Sequence, residues 1–363
     1  RDYPATGAVA EMLGEYARYP LFGTVGIDAS FYTPLTERTL RSYADVLPKG
    51  FECVSKVWDR ITVHTFAKAR DRKKAGEANP DFLNAELFTE AVLGPCREHF
   101  AGHLGPFVFE FQTIAKKDKV GPDDFARQLD QFFGKLPREA RYAVELRNAE
   151  FLTPAYFAVL REHDVAHLFN SWTRMPSIGM QLDLPGVITA NFLVARVLLR
   201  PGRYYAEAVD AFAPYGEIKD PNPELRNDVV RLVKTAEALR IPAYILVNNR
   251  AEGSAPKTIA AVADSTDVIA RSCPSCEASS AQTFKATPFA GVIGGAGASG
   301  ARLAQPAINV AMGTASRVAK AAVEPQRVGW RGIILSPVLR RASRARRPPA
   351  AVRVGECSIY FLK

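Results

Sequence analysis

Between Thr24 and Asn249 the chain returns again and again to short apolar runs, separated by longer stretches whose apolar residues fall at helical spacing. The runs predict seven strands, at Thr24–Ser30, Phe51–Val57, Pro106–Phe111, Arg141–Leu146, Ala166–Asn170, Phe192–Leu199 and Ala243–Asn249. Helices are predicted at Thr36–Asp45, Phe82–Phe100, Pro122–Phe133, Pro154–His163 and Pro223–Arg240. Thr153-Pro154 and Asn222-Pro223 each set a capping side chain before a proline, whose missing N–H costs nothing in the first helical turn. Strands and helices alternating at such short spacing imply a parallel sheet with helical crossovers.

A strand sends alternate side chains to opposite faces, so the faces are readable from parity. Tyr142, Val144 and Leu146 share one face, while Ala143, Glu145 and Arg147 share the other. Val108, Glu110 and Gln112 oppose Phe107, Phe109 and Phe111 in the same way, and Thr24, Gly26, Asp28 and Ser30 oppose Val25, Ile27, Ala29 and Phe31. Lys56, Asn170, Arg196 with Arg200, and Asn248 with Asn249 fall at the carboxyl ends of other predicted strands. In a closed parallel barrel those ends form the mouth where ligands bind. Buried charges without partners cost several kcal/mol, so Asp28, Glu110 and Glu145 must meet Lys56, Arg147, Arg196 and Arg200, or a ligand. The following loops add Lys68, Arg70, Arg72, Lys73 and Lys74, then Lys116, Lys117 and Lys119, then Arg203 and Arg250, which favours a small anionic partner. The competing expectation is a salt-bridge lattice that only closes the barrel, below solvated loops.

The texture changes after residue 264. Residues 265–363 are rich in Ala, Gly, Ser, Arg and Pro, and this segment is expected to be a mostly disordered basic tail beside a barrel domain spanning 1–264. The formal net charge of +9 sits there: residues 268–363 hold 14 basic against 3 acidic side chains, and the remainder 33 against 35. The basicity therefore speaks for non-specific nucleic-acid binding by the tail at most. The tail is expected neither to pack on the barrel nor to be needed for its folding. No apolar run approaches the ~20 residues that span a bilayer. Five cysteines, Cys53, Cys96, Cys273, Cys276 and Cys357, are too few and odd in number for a disulfide scaffold, which points to a reducing compartment and the cytoplasm.

Metal chemistry would need clustered ligands, and the five histidines, His64, His99, His103, His163 and His167, offer one attractive set, His64 beside Glu110 and Glu145. No metal and no cofactor are expected. Cys273-Pro-Ser-Cys276 lacks a second pair of zinc ligands, and Gly295-Ala-Gly-Ala-Ser-Gly300, though it follows the short apolar run Phe289–Ile293, lacks the helix, second strand and acid that a dinucleotide fingerprint requires.

Five strings resemble the YecE-like family, domain of unknown function 72, in its branch with an F-Y-x-P-L motif. They are Val25-Gly-Ile-Asp-Ala-Ser-Phe-Tyr-Thr-Pro-Leu35, Phe51-Glu-Cys-Val-Ser-Lys-Val-Trp58 with Thr62 and His64, Gly105-Pro-Phe-Val-Phe-Glu-Phe-Gln112, Tyr142-Ala-Val-Glu-Leu-Arg-Asn148 and Val247-Asn-Asn-Arg-Ala-Glu-Gly-Ser-Ala-Pro256. The resemblance implies a TIM-barrel-like (β/α) barrel of uncharacterised activity. It singles out Phe31, Tyr32, Lys56, Gln112, Glu145, Arg147, Asn248 and Asn249 as positions matching the family's motifs. The family's opening Gly-Thr-Ser-Gly-Trp strand is missing before Tyr19, which would leave two unpaired edges unless Ala5–Ala10 substitutes as a short strand. The start at Arg1 accords with a fragment.

Two function classes follow. One is an enzyme acting on a small anionic substrate, phosphorylated or sugar-derived, with Glu145 or Glu110 as acid or base. Arg147, Lys56 and Arg200 would clamp its charge, and Asp28, Tyr32, Gln112, Asn248 and Asn249 would complete the site. The other is a non-catalytic ligand-binding or scaffold barrel.

Overall fold

The computed structural model describes residues 9–66, 74–265 and 352–356. Seven parallel strands form the barrel wall in chain order: β1 (Thr24–Ile27), β2 (Glu52–Lys56), β3 (Leu104–Glu110), β4 (Tyr142–Glu145), β5 (Ala166–Ser171), β6 (Leu193–Val197) and β7 (Ala243–Val247). All seven predicted strands are present. An eighth, β8 (Val352–Glu356), pairs in parallel with β7 along its whole length and with β1 at two positions, closing the ring.

That strand corrects two expectations. The wall between β7 and β1 is not supplied from the amino terminus, because Val9 and Ala10 belong to helix α1 (Val9–Ala17), while residues 5–8 lie outside the described residues. Nor does the whole segment after residue 264 stay off the barrel. Five of its residues satisfy backbone groups that two open edges would otherwise leave unpaired. The Cys273–Cys276 and Gly295–Gly300 motifs and the cluster around Arg340 lie outside the described residues.

The crossovers run α2 (Glu37–Ala44), the short α3 (Asp59–Thr62), α4 (Ala85–Phe88) continued by a wide turn at Thr89–Leu93 into α5 (Gly94–Phe100), α6 (Pro122–Phe133), α7 (Pro154–Glu162), α8 (Ile178–Leu182), α9 (Tyr205–Phe212), α10 (Pro223–Leu239) and α11 (Ala255–Asp264). The two predicted caps are made: the Thr153 hydroxyl accepts from the Tyr156 N–H at 3.2 Å, and the Asn222 side chain accepts from the Leu225 N–H at 3.2 Å. No described helix is long and apolar enough to cross a membrane.

Parity divides the core as the sequence implied. Outward residues such as Phe107, Phe109, Val144 and Phe169 meet the helices, with Phe109 edge-on to Phe132 and Phe133 at 5.2 and 5.5 Å. Inward residues form a separate apolar layer of Val54, Val108, Ala143, Leu168, Val194 and Leu246. Below that layer, at the amino-terminal end of the barrel, Arg141 pairs with Glu52 at 3.1 Å, and the Tyr244 hydroxyl bridges the two. Above it lies the mouth.

Candidate functional site

Glu110 and Glu145 stand side by side in register at the ends of β3 and β4. Two carboxylates at that spacing repel, and each is buried. Arg196 of β6 relieves the conflict by reaching between them: its Nη1 donates to Glu110 Oε2 at 2.6 Å and also to Glu145 Oε2. Arg147 closes the pair from above, with Nη2 at 2.6 Å from Glu145 Oε1 and 3.2 Å from Glu110 Oε2. Lys56 Nζ lies 2.8 Å from Glu110 and 3.6 Å from Asp28, and Arg196 Nη2 lies 3.6 Å from the other Asp28 oxygen. Three acids and three cations from five strand ends thus make one lattice.

The surroundings hold it in place. Lys56 sits 4.7 Å over the Phe31 ring, and the Arg147 guanidinium stacks 3.9 Å over Trp172. Gln112 donates to Glu110 at 2.7 Å, and Asn170 donates to the Leu146 carbonyl at 2.8 Å. Behind Asn170, the Gln181 amide donates to the Asn170 and Pro176 carbonyls, so its oxygen accepts from the Asn170 N–H and from Nε2 of His167. His167 Nδ1 then accepts from the Tyr156 hydroxyl at 3.1 Å. Burial, only partly opposed by the Gln181 bond, holds this imidazole down to about 4, and it stays neutral.

Burial alone would push the Glu110 carboxyl up, yet Lys56, Arg147 and Arg196 together hold it well below the ordinary carboxylate range. For Lys56, burial and Arg196 work against the charged form, while Asp28, Glu110 and Glu145 outweigh them and raise it. At neutral pH Glu110 is therefore an anion and Lys56 a cation. Three buried atoms of the lattice make no hydrogen bond: Arg147 Nη1, Asp28 Oδ2 and Asn170 Oδ1.

The structure brings together Asp28, Lys56, Gln112, Glu110, Glu145 and Arg147 from the sequence-derived set. Arg200 stands apart. It pairs with Asp220 at 3.2 Å and borders a neighbouring cleft of about 170 Å³ with Ser171, Ser177 and Asn222. Tyr32 is exposed and meets Phe31 edge-on at 5.5 Å. Asn248 and Asn249 shape the turn after β7, where their side-chain oxygens accept from the Arg250 and Ala255 N–H groups at 2.9 and 2.8 Å. Arg203 also turns to Asp220, at 2.6 Å. Residues 67–73, with four of the loop cations, lie outside the described residues. Among the described residues no group of His, Cys, Asp and Glu is arranged to hold a metal ion, and His64 does not join Glu110 and Glu145 in such a group.

Sequence reasoning missed Trp172, Gln181 and the buried Glu252, which accepts from Arg226 Nε at 3.1 Å and so ties the turn after β7 to α10. Glu252 carried a readable signal, an acid between two small residues in a turn. Trp172 carried none, because its partner lies on another strand end.

Solved structures similar to this chain include a DUF72 family protein from Thermotoga maritima, 17% identical over 68% of this chain and 85% of its own, with a TM-score of 0.45. Two structures of a DUF72 family protein from Enterococcus faecalis are 17% and 15% identical, with TM-scores of 0.49 and 0.46. They cover 70% and 72% of this chain, and 88% and 94% of their own. No match was found among curated proteins. The model of the family described as protein of unknown function DUF72 matches residues 1–281, and the chain belongs to that family.

Proposed function

We propose that the carboxyl-terminal mouth of the barrel binds a small anionic molecule, phosphorylated or sugar-derived, and that the barrel is an enzyme acting on it. The observation that carries this reading is the unsatisfied Nη1 of Arg147 inside a charged lattice. A buried donor without a partner costs about 1–3 kcal/mol, and an anionic oxygen would recover that cost. Asp28 Oδ2 and Asn170 Oδ1 would in turn accept from hydroxyl groups on the same ligand. Glu110, ionised at neutral pH and shared among three cations, suits an electrostatic partner rather than an acid in the resting state. Glu145 holds both arginines in place. Arg200 would clamp a second anionic group at the neighbouring cleft. The free, buried Cys53 and Cys96 accord with a reducing compartment such as the cytoplasm.

A second reading, a non-catalytic binding or scaffold barrel, is favoured by the charge balance of the lattice. A thermal-shift screen of phosphorylated and sugar-derived metabolites separates the two. A ligand at 100 times its Kd adds about 2.7 kcal/mol, which raises Tm by several degrees. That shift should vanish in Arg147→Ala and persist in a surface variant such as Lys135→Ala. Turnover of the stabilising compound decides for an enzyme. Stabilisation that survives Arg147→Ala would remove the lattice from the site.

A further inference from the structure

The loops after β2 and β3 are joined by a chain of side chains that the lattice does not use. His64 Nδ1 lies 2.9 Å from Thr65 Oγ1, and that hydroxyl donates to Asp118 Oδ1 at 3.2 Å. A hydroxyl has one proton and a carboxylate has none to give. With the Thr65 proton committed to Asp118, Thr65 must accept from His64, so Nδ1 carries the imidazole proton and Nε2 keeps its lone pair. Nε2 has no hydrogen-bond partner among the described residues. The backbone fixes the ring's place: the Asn79 N–H donates to the His64 carbonyl at 2.9 Å, Thr65 bridges to Ala78, and Phe82 meets the ring edge-on at 5.1 Å. Asp118 is held as well, since its other oxygen accepts from the Ala115 N–H at 3.1 Å.

Both loops follow strand carboxyl ends, so the relay lies on the side of the mouth. The other histidines are engaged elsewhere. His103 is tied to the Phe51 carbonyl before β3, His99 and His163 face Glu37 and Asp130 in the helical layer, and His167 is buried between Tyr156 and Gln181. Within the lattice, Glu110 is shared among three cations that hold its carboxyl low, which makes it a weak proton acceptor.

We propose that His64 is the general base of the mouth, its Nε2 taking a proton from a hydroxyl of the bound ligand, with Thr65 and Asp118 as positioning residues. In that step the ligand O–H bond breaks, the proton forms a bond to Nε2, and the imidazolium keeps its Nδ1–H on Thr65. Asp118 then balances the new charge through the hydroxyl. The proposal rests on the mouth being the ligand site.

Long-range proton–nitrogen correlation spectra of the full-length protein, taken above the imidazole titration range, report the tautomer directly. One Nδ1–H histidine is expected that disappears in His64→Gln, shifts to the Nε2–H form in Thr65→Val, and is retained in Thr65→Ser. An Nε2–H signal for His64 in the unaltered protein overturns the relay. The second arm acylates the histidines with diethyl pyrocarbonate and follows each by mass spectrometry. His64 should react ahead of the other four, and a compound that stabilises the mouth should slow it in proportion to occupancy. Unchanged reactivity at saturation overturns the role of His64 while leaving the mouth as a binding site. Absence of any stabilising compound overturns both, and Arg147→Ala, which should abolish stabilisation without altering the tautomer, keeps the two failures apart.

Discussion

Arg196 is placed so that its removal leaves the buried Glu110 and Glu145 facing each other, with Lys56 and Arg147 as the remaining cations to share. Breaking a buried ionic network by deleting one partner costs about 3–5 kcal/mol, and Arg196→Met should lose that much in urea unfolding. Adding Glu145→Gln removes one of the two charges and should restore part of the loss, a non-additivity read from the double-mutant cycle. A second residue-scale consequence concerns acid. His167 is neutral in the folded chain down to about 4 but charges near 6.5 when unfolded, so the unfolded state binds the extra proton between those values. Stability is whole above pH 6.5 and falls as the pH drops toward 4, by about 3 kcal/mol over the window. Glu110 acts lower: its stabilisation is present above the ordinary carboxylate range and is lost as the pH falls through its depressed value. Unfolding titrations should show the upper part of the acid loss abolished in His167→Gln and the lower part kept.

Elements follow from local chemistry where local chemistry is strong. The Asn222-Pro223 start was readable because the cap and the proline are adjacent in sequence, and α10 begins there. Asn222→Ala removes the acceptor for the Leu225 N–H and should cost about 1 kcal/mol, seen as a lower urea midpoint at unchanged slope. Helices α1, α3, α8, α9 and α11 escaped prediction. α8 has five residues and gains its place from neighbours, through Gln181 bonded to β5 and through Gly179, where an added Cβ would fall 2.2 Å from Asp228 Oδ1 of α10. So short a helix has no period of its own to read. The π turn at Thr89–Leu93 was equally silent, since it lies within one continuous helical pattern.

At the scale of the whole molecule, closure depends on a strand far away in sequence. β8 supplies five paired positions to β7 and two to β1. A chain ending at residue 265 should therefore lose Tm and self-associate through the exposed edges of β1 and β7, which sedimentation and thermal unfolding would detect. A peptide spanning residues 348–363, added in trans, should reverse part of both effects. Truncation without loss of stability would separate β8 from the folding of the barrel.

By itself the sequence determined seven strands, their inward and outward faces and the charged character of one end, because side-chain alternation and strand spacing are local properties. Parity placed Asp28, Glu110, Glu145 and Arg147 on inward faces, and the end of a predicted strand placed Lys56 beside them. Only the tertiary structure decided which of them meet. Arg196 reaches the carboxylates from the far side of the ring, Arg200 from three residues beyond its strand turns to Asp220, and Val352–Glu356 becomes a wall of the barrel. Each of these depends on a contact between residues distant in sequence, set by ring closure and by the energetic need to pair every buried charge and every strand edge.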